Sequence, residues 1–504
     1  MKARSYPLIV ALGVVLTAAV APAAAAPSER AAVIVMPASA PVFRSPRAAH
    51  GLLVVGEGAT VSRRGALASL LRGEMGNAIV SGGVPGGKPL IALSRRPAQF
   101  TFYVVLPGPG QHHNVRRYPI AVVGPGYRGV LTDTSTRLTG LVSIADVAPS
   151  LRALQRGERP SIRAKPSRDP LAQLARFDRG LQRAHDARVA ATLVLVGLMI
   201  VLSLAALLTG APTVCRAAFL VPSACIACAV ALSALGVSPR AAVLGVALLG
   251  GGGALLGGVL LPPRLPLAVA LAALFTFLFA VMWARPEWNA LAVIGPHPDG
   301  GGRFYGVTNE VETLLLPAGL VLGALTGARL LPVVGLALAA GVAASRVGAD
   351  GGGLVVYLAG FLALWLRVRH VPALRAAAAT AVAAGAALLL VGIDAATGGS
   401  SHVTKAVGGG PGSVLGDLGH RLHLSGASIA STWNNALLFA LGIVALIVLA
   451  LQRPRAALLD AYLVALGVSF LVNDTPTDVA GYGGFAALGL WLLTRSERTR
   501  GRLE

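Results

Sequence analysis

The residues best placed to do chemistry lie in one stretch, 300–316, GGGRFYGVTNEVETLLL, where a glycine-rich polar loop runs into an apolar helix. Arg303 can hold a phosphate or carboxylate through its planar fork. Tyr305 has the character of an interface aromatic, while Asn309, Glu310 and Glu312 can supply polar contacts or a base. Charge at the mouth of an apolar segment is expensive unless it is solvated, paired or used. Part of the pattern has a plainer explanation. Asn309 with Glu312 three residues on reads as a capping box, and acids in a first turn suit the helix dipole. Capping leaves Arg303, Tyr305 and Glu310 unaccounted for.

Two further polar groups sit at the entrances of apolar segments. Asp350 precedes three glycines in SRVGADGGG, residues 345–353, and glycine there permits close approach by a ligand or a neighbouring helix. Asn473 and Asp474 open NDTPTD, residues 473–478, with Pro476 as a helix starter. Glu310 and Asp350 are therefore the candidate bases. Arg303, Tyr305, Asn309, Glu312, Asn473 and Asp474 are the candidate substrate contacts. The loop 394–435 carries His402, Lys405, Asp417, His420, Arg421 and His423, but HRLH lacks the spacing of a zinc motif such as HExxH, and an interfacial amphipathic helix accounts for it. Cys225 and Cys228 have CxxC spacing inside an apolar run without His or acidic neighbours, which points to helix packing rather than metal or redox chemistry. Neither a metal nor a cofactor is expected. No Walker A motif, dinucleotide fingerprint or Ser-His-Asp signature is present.

The elements that must position these residues are membrane helices. A chain of 504 residues with 55% hydrophobic content, 13% charged residues and a mean hydropathy of +0.71 is too apolar for an ordinary soluble globule. Apolar segments close to the length of a bilayer crossing fall at 189–208, 217–235, 241–260, 267–283, 313–327, 330–344, 354–366, 376–391, 436–451, 458–472 and 481–493, which predicts about eleven spans between residues 188 and 494. Loop charge orients them. Arg216, Arg264, Arg329, Arg367, Arg369, Arg375, Arg453, Arg455 and the tail 495–504 alternate with loops poorer in Arg and Lys, so the positive-inside rule puts the arginine-rich loops and the C-terminus in the cytoplasm. Every polar cluster then faces out, toward one site.

Residues 1–26 have the basic start, apolar run and Ala-rich end of a secretory signal peptide. Residues 27–187 lack a long apolar run and read as an exported α/β domain, with strands at 31–36, 51–55, 100–106 and 119–123, helices at 64–71 and 144–154, and a basic helix at 169–188 leading into the membrane. The net charge of +22 is partly concentrated here and suits an anionic surface.

The run YPIAVVGPGYRGVLTDTSTRLTGLVSIADVAPSL, residues 118–151, resembles the late segment of the alkaline phosphatase and sulfatase superfamily. That resemblance implies a phosphatase-like shell. The family binds two metals through Asp and His clusters, and its pattern is broken here: the first strand ends in Met36-Pro37, and the strand from 100 ends in Pro107-Gly108-Pro109-Gly110. His112 and His113 read as loop residues. The domain is thus expected to be a degenerate, alkaline-phosphatase-like binding module. The membrane half resembles a set of uncharacterised bacterial polytopic membrane proteins sharing an RFYG-x-x-NE loop, a G-A-D-x-G-G turn and a late V-N-D turn, a likeness that brings no activity with it. The expectation is a multi-pass plasma-membrane protein of the cell envelope. Its partners would be membrane lipids and an anionic lipid-linked or polymeric substrate, not nucleic acid, with group transfer, transport or envelope scaffolding as its work.

Overall fold

The structure, a computed structural model, describes residues 30–58, 60–76, 84–262, 265–396, 433–473 and 475–498. The expected leader, the histidine-bearing part of the 394–435 loop and Asp474 lie outside the described residues.

The chain begins as a mixed sheet. Strands β1 (Ala31–Val35), β2 (Ala49–Val54), β4 (Phe100–Val104), β6 (Tyr118–Val123), β7 (Gly129–Asp133), β8 (Leu141–Ser143) and β9 (Ile162–Lys165) assemble in the order β1-β4-β6-β2-β7-β9, with β8 also on β2. β1 runs parallel to β4, and β2 is parallel to β7 and β8; the remaining pairs are antiparallel. A small two-stranded antiparallel sheet pairs β3 (Thr60–Ser62) with β5 (Gln111–His113), so His112 and His113 stand on a short strand rather than in a loop. The His112 ring reaches the carbonyls of Gly108 and Pro109 at 3.1 Å. Helices α1 (Arg63–Arg72) and α2 (Val147–Arg156) cover the sheet. Ala66, Leu70, Val147 and Leu151 meet Val33, Leu53, Phe102 and Leu131 in one core. Local rules set the ends of α1: the Ser62 hydroxyl accepts from Gly65 N at 3.0 Å, and Gly73 closes the helix at φ 67°.

Helix α3 (Pro170–Thr209) joins the expected basic helix to the first apolar segment. Asp169 caps it, and the helix then runs unbroken for 40 residues, about 60 Å. The boundary drawn at 187 falls inside it, because nothing between the polar half and the apolar half breaks a helix. The polar half is bound to the sheet domain, where Arg117 Nε donates to Asp178 Oδ1 at 2.6 Å and Leu181 packs with Val54 and Leu138.

Helices follow at α4 (Pro212–Ala234), α5 (Pro239–Leu260), α6 (Leu265–Ala284), the short α7 (Pro286–Ala290), α8 (Asn309–Leu325), α9 (Leu331–Ala343), α10 (Gly351–Val368), α11 (Ala373–Ala396), α12 (Trp433–Leu451), α13 (Ala457–Val472) and α14 (Pro476–Arg498). Among the described residues, α3, α4, α5, α6 and α10 are long and apolar enough to cross a membrane. Within α5 Gly250 sits against Cys225, where a Cβ would come 2.9 Å from the Sγ, the packing use expected of that cysteine.

Helix α8 is the hub. It packs against α4, α6, α9, α10, α13 and α14, and every residue from Val311 to Gly323 is buried, as a helix apolar all round must be. The loop that leads into it docks on the sheet domain: Gly58 N donates to Gly300 O at 3.0 Å, and Gly301, at φ 73°, rests against the Gly56 carbonyl with no room for a side chain. At the other end of the bundle Arg216 pairs with Glu497, and Arg367 and Arg455 both pair with Asp460. Each end of the bundle thus carries its own arginine–acid pairs.

Candidate functional site

The first turn of α8 is set one residue earlier than the sequence pattern predicts. Thr308, not Asn309, is the N-cap, its hydroxyl accepting from Val311 N at 3.2 Å. Both are good caps. The choice is made by the preceding loop, where Val307 N donates to Gly348 O at 2.8 Å and Gly306 N to Asn289 Oδ1 at 2.9 Å. The expected Asn309–Glu312 capping box is therefore absent. Asn309 instead donates to Thr475 Oγ1 at 2.8 Å, and Glu312 is released to turn into the bundle, where it is 0% exposed.

Around Glu312 four of the anticipated residues meet. Asn473 Nδ2 donates to Glu312 Oε2 at 3.1 Å and to Ser469 Oγ at 2.8 Å. The Glu312 carboxyl is in side-chain contact with that of Asp350, which is 2% exposed. Asp350 Oδ1 accepts from Gly353 N at 3.2 Å, capping α10, and lies 3.3 Å from Arg303 Nη2. Arg303 also donates to the carbonyls of Val307 and Ala349, and its side chain, 28% exposed, is the most open of the four. The glycines after Asp350 serve a close approach: a Cβ on Gly352 would stand 2.5 Å from Asn473 Oδ1. Tyr357 joins from α10, buried completely. It lies seven residues beyond Asp350, two turns along the same helix face, a spacing that could have identified it from the sequence.

Glu310 belongs to a neighbouring network. It lies within electrostatic reach of Asp478 on α14 and Arg188 on α3, and its Oε1 has neither a hydrogen-bond partner among the described residues nor solvent contact. Arg188 in turn holds Asp299: Nη1 donates to Oδ1 at 2.5 Å and Nη2 to Pro296 O at 3.0 Å, while His185 Nδ1 meets Oδ2 at 2.6 Å. Burial by itself would push the Asp299 carboxyl up; the Arg188 guanidinium, with His297 and His185, more than offsets it and holds the group below the ordinary carboxylate value. Neither Arg188 nor Asp299 stood out in the sequence. Arg188 reads there as the last charge before an apolar run, and Asp299 as one polar residue in a glycine loop.

Tyr305 is placed as part of the dock between the two halves. Its hydroxyl donates to Ser345 O, and the Arg137 guanidinium, from the β7–β8 loop, lies 4.9 Å above its ring. Arg137 also donates to Trp283 O at 2.9 Å, to Met282 O at 3.5 Å and to Arg346 O, cationic contacts of the kind favoured at a helix C-terminus. Comparison with protein-family models, curated proteins and solved structures finds no match to this chain.

Proposed function

We propose that this chain is a multi-pass envelope protein of about eleven spans, its sheet domain outside and its C-terminus in the cytoplasm, that handles an anionic, lipid-linked or polymeric substrate under the sheet domain. The observation that carries the reading is the convergence of Arg303, Glu312, Asp350 and Asn473, from three separate stretches of chain, into one polar cluster at the sheet-domain end of an apolar bundle. Arg303 is the anion-holding group, because its fork is partly open and Asp350 Oδ1 orients it. Glu310 is the proton acceptor for group transfer, since its Oε1 is committed to no other donor. The domain above, a degenerate phosphatase-like shell in this reading, controls access through the Gly300–Gly56 and Arg137 contacts.

A transport reading is favoured by one observation, that Glu312 and Tyr357 are walled inside the bundle, where buried acids serve ion paths as well as catalysis. The test is a deletion strain complemented with wild type, Arg303→Ala or Glu310→Gln, its envelope lipids and polymers profiled by mass spectrometry. Accumulation of the same precursor in deletion and variants is the expected result. Wild-type profiles in both variants, against a changed profile in the deletion, would make the chain a scaffold.

A further inference from the structure

Three oxygens in the buried cluster are left over once its hydrogen bonds are assigned. Glu312 Oε1, Asp350 Oδ2 and the Tyr357 hydroxyl have no hydrogen-bond partner among the described residues and no contact with solvent, on residues that are 0%, 2% and 0% exposed. They belong to one place, for the two carboxyls touch and the phenol lies within electrostatic reach of both. The surrounding groups are all turned elsewhere. Asn473 Nδ2 is on the opposite Glu312 oxygen, Arg303 is on the opposite Asp350 oxygen, and the Tyr462 hydroxyl donates to Thr313 O at 2.9 Å.

Charge bookkeeping shows what is missing. With both carboxyls ionised, one guanidinium leaves one uncompensated negative charge, and an unpaired charge walled from water costs several kcal/mol; orphaned acceptors add to that cost. One positive charge among the three oxygens removes both penalties. A divalent ion would overshoot the charge and calls for six or more ligands. We propose that Glu312 Oε1, Asp350 Oδ2 and the Tyr357 hydroxyl form a site for one monovalent cation, a sodium ion or a proton, between α8 and α10. The site goes beyond the substrate reading and needs no substrate to be occupied.

The experiment uses the full chain, purified into lipid nanodiscs. Radiolabelled sodium is titrated onto it at several pH values, and infrared difference spectra follow the stretch of protonated carboxyls. Saturable sodium binding, one ion per chain and opposed by protons, assigns the site to sodium. With no sodium bound, a titrating carboxyl band assigns it to the proton. Glu312→Gln, which keeps an acceptor for Asn473, abolishes whichever signal the wild type gives. Tyr357→Phe keeps the ring packing as a guard against misfolding and weakens sodium binding about tenfold, the loss of one strong polar contact, or shifts the carboxyl band. A wild type that binds no sodium and whose carboxyl spectrum equals that of Glu312→Gln overturns the proposal. Because substrate handling is read separately, in the envelope profile of the Arg303 and Glu310 variants, either idea can fail alone.

Discussion

Two arginine–aspartate pairs, each with its aspartate buried, stand at the same end of the helical bundle. In Arg188–Asp299 each carboxylate oxygen has its own donor, from Arg188 and from His185. In Arg303–Asp350 one oxygen is shared between Arg303 and a backbone N–H while the other meets only a second carboxyl. Pairing of both carboxylate oxygens, although Arg188 Nε finds no partner among the described residues, locks the long helix α3 to the loop that leads into α8. Incomplete pairing leaves acceptors facing one another inside the bundle, an arrangement stable only with something between them. Burial of charge is common to both, and satisfaction is what separates a latch from a site.

The comparison is broken most directly at the latch. Arg188→Ala leaves Asp299 buried with only His185 and is expected to cost about 3–5 kcal/mol, read as a lower midpoint in thermal unfolding of the purified protein. If Arg188→Ala unfolds like wild type, the latch is not one. Arg137→Ala comes next, removing charged hydrogen bonds to the end of α6 and the ring contact with Tyr305, for about 1–3 kcal/mol; hydrogen exchange should rise at residues 281–285 and 345–347 and stay unchanged in the sheet core. Glu312→Gln should move stability by less than about 1 kcal/mol, because the amide still accepts from Asn473 and one unpaired charge is gone. A large destabilisation there would make the cluster a latch as well.

The smallest effect is one of sign with pH. Asp299, held below its ordinary value, contributes stability that is present above the unfolded carboxylate value near 3.9 and lost as pH falls through the folded one. Asp133, at the end of β7, is the reverse: burial first, then the neighbouring Asp146, holds its carboxyl well above the usual range. Its contribution is present below about 3.9 and lost as pH rises through the raised value. Acidification should therefore loosen residues 296–300 and tighten residues 130–146 in hydrogen exchange. Both segments moving the same way would contradict the assignment.

Much of this was legible along the chain. Strands β1, β2, β4 and β6 and helices α1 and α2 follow from apolar runs bounded by Gly, Pro and Ser, and they are found within a few residues of the expected positions. β7, β8 and β9 are not legible, since GVLTD, LVS and IRAK are short and become strands through the neighbours they pair with. Arg303, Glu312, Asp350 and Asn473 could be singled out one by one because a polar group at the mouth of an apolar segment carries a local cost. That they face one site was expected from the loop charges, but which of them touch was not. The same limit hid the true cap of α8, where Thr308 and Asn309 are equal candidates until Gly348 holds the loop.

By itself the sequence determined most of the helices and the longer strands, where each apolar run begins, and which positions carry charge that demands an explanation. These depend on neighbours a few residues away, through periodicity, capping and the cost of burial. Only the tertiary structure decided which charges answer one another. Arg188 and Asp299 are 111 residues apart, and Glu312 and Asn473 are 161 apart. Each residue along a helix turns the side chain by about 100°, so helix order, rotation and a one-residue shift in a cap settle whether a carboxylate meets an arginine, another carboxylate or lipid.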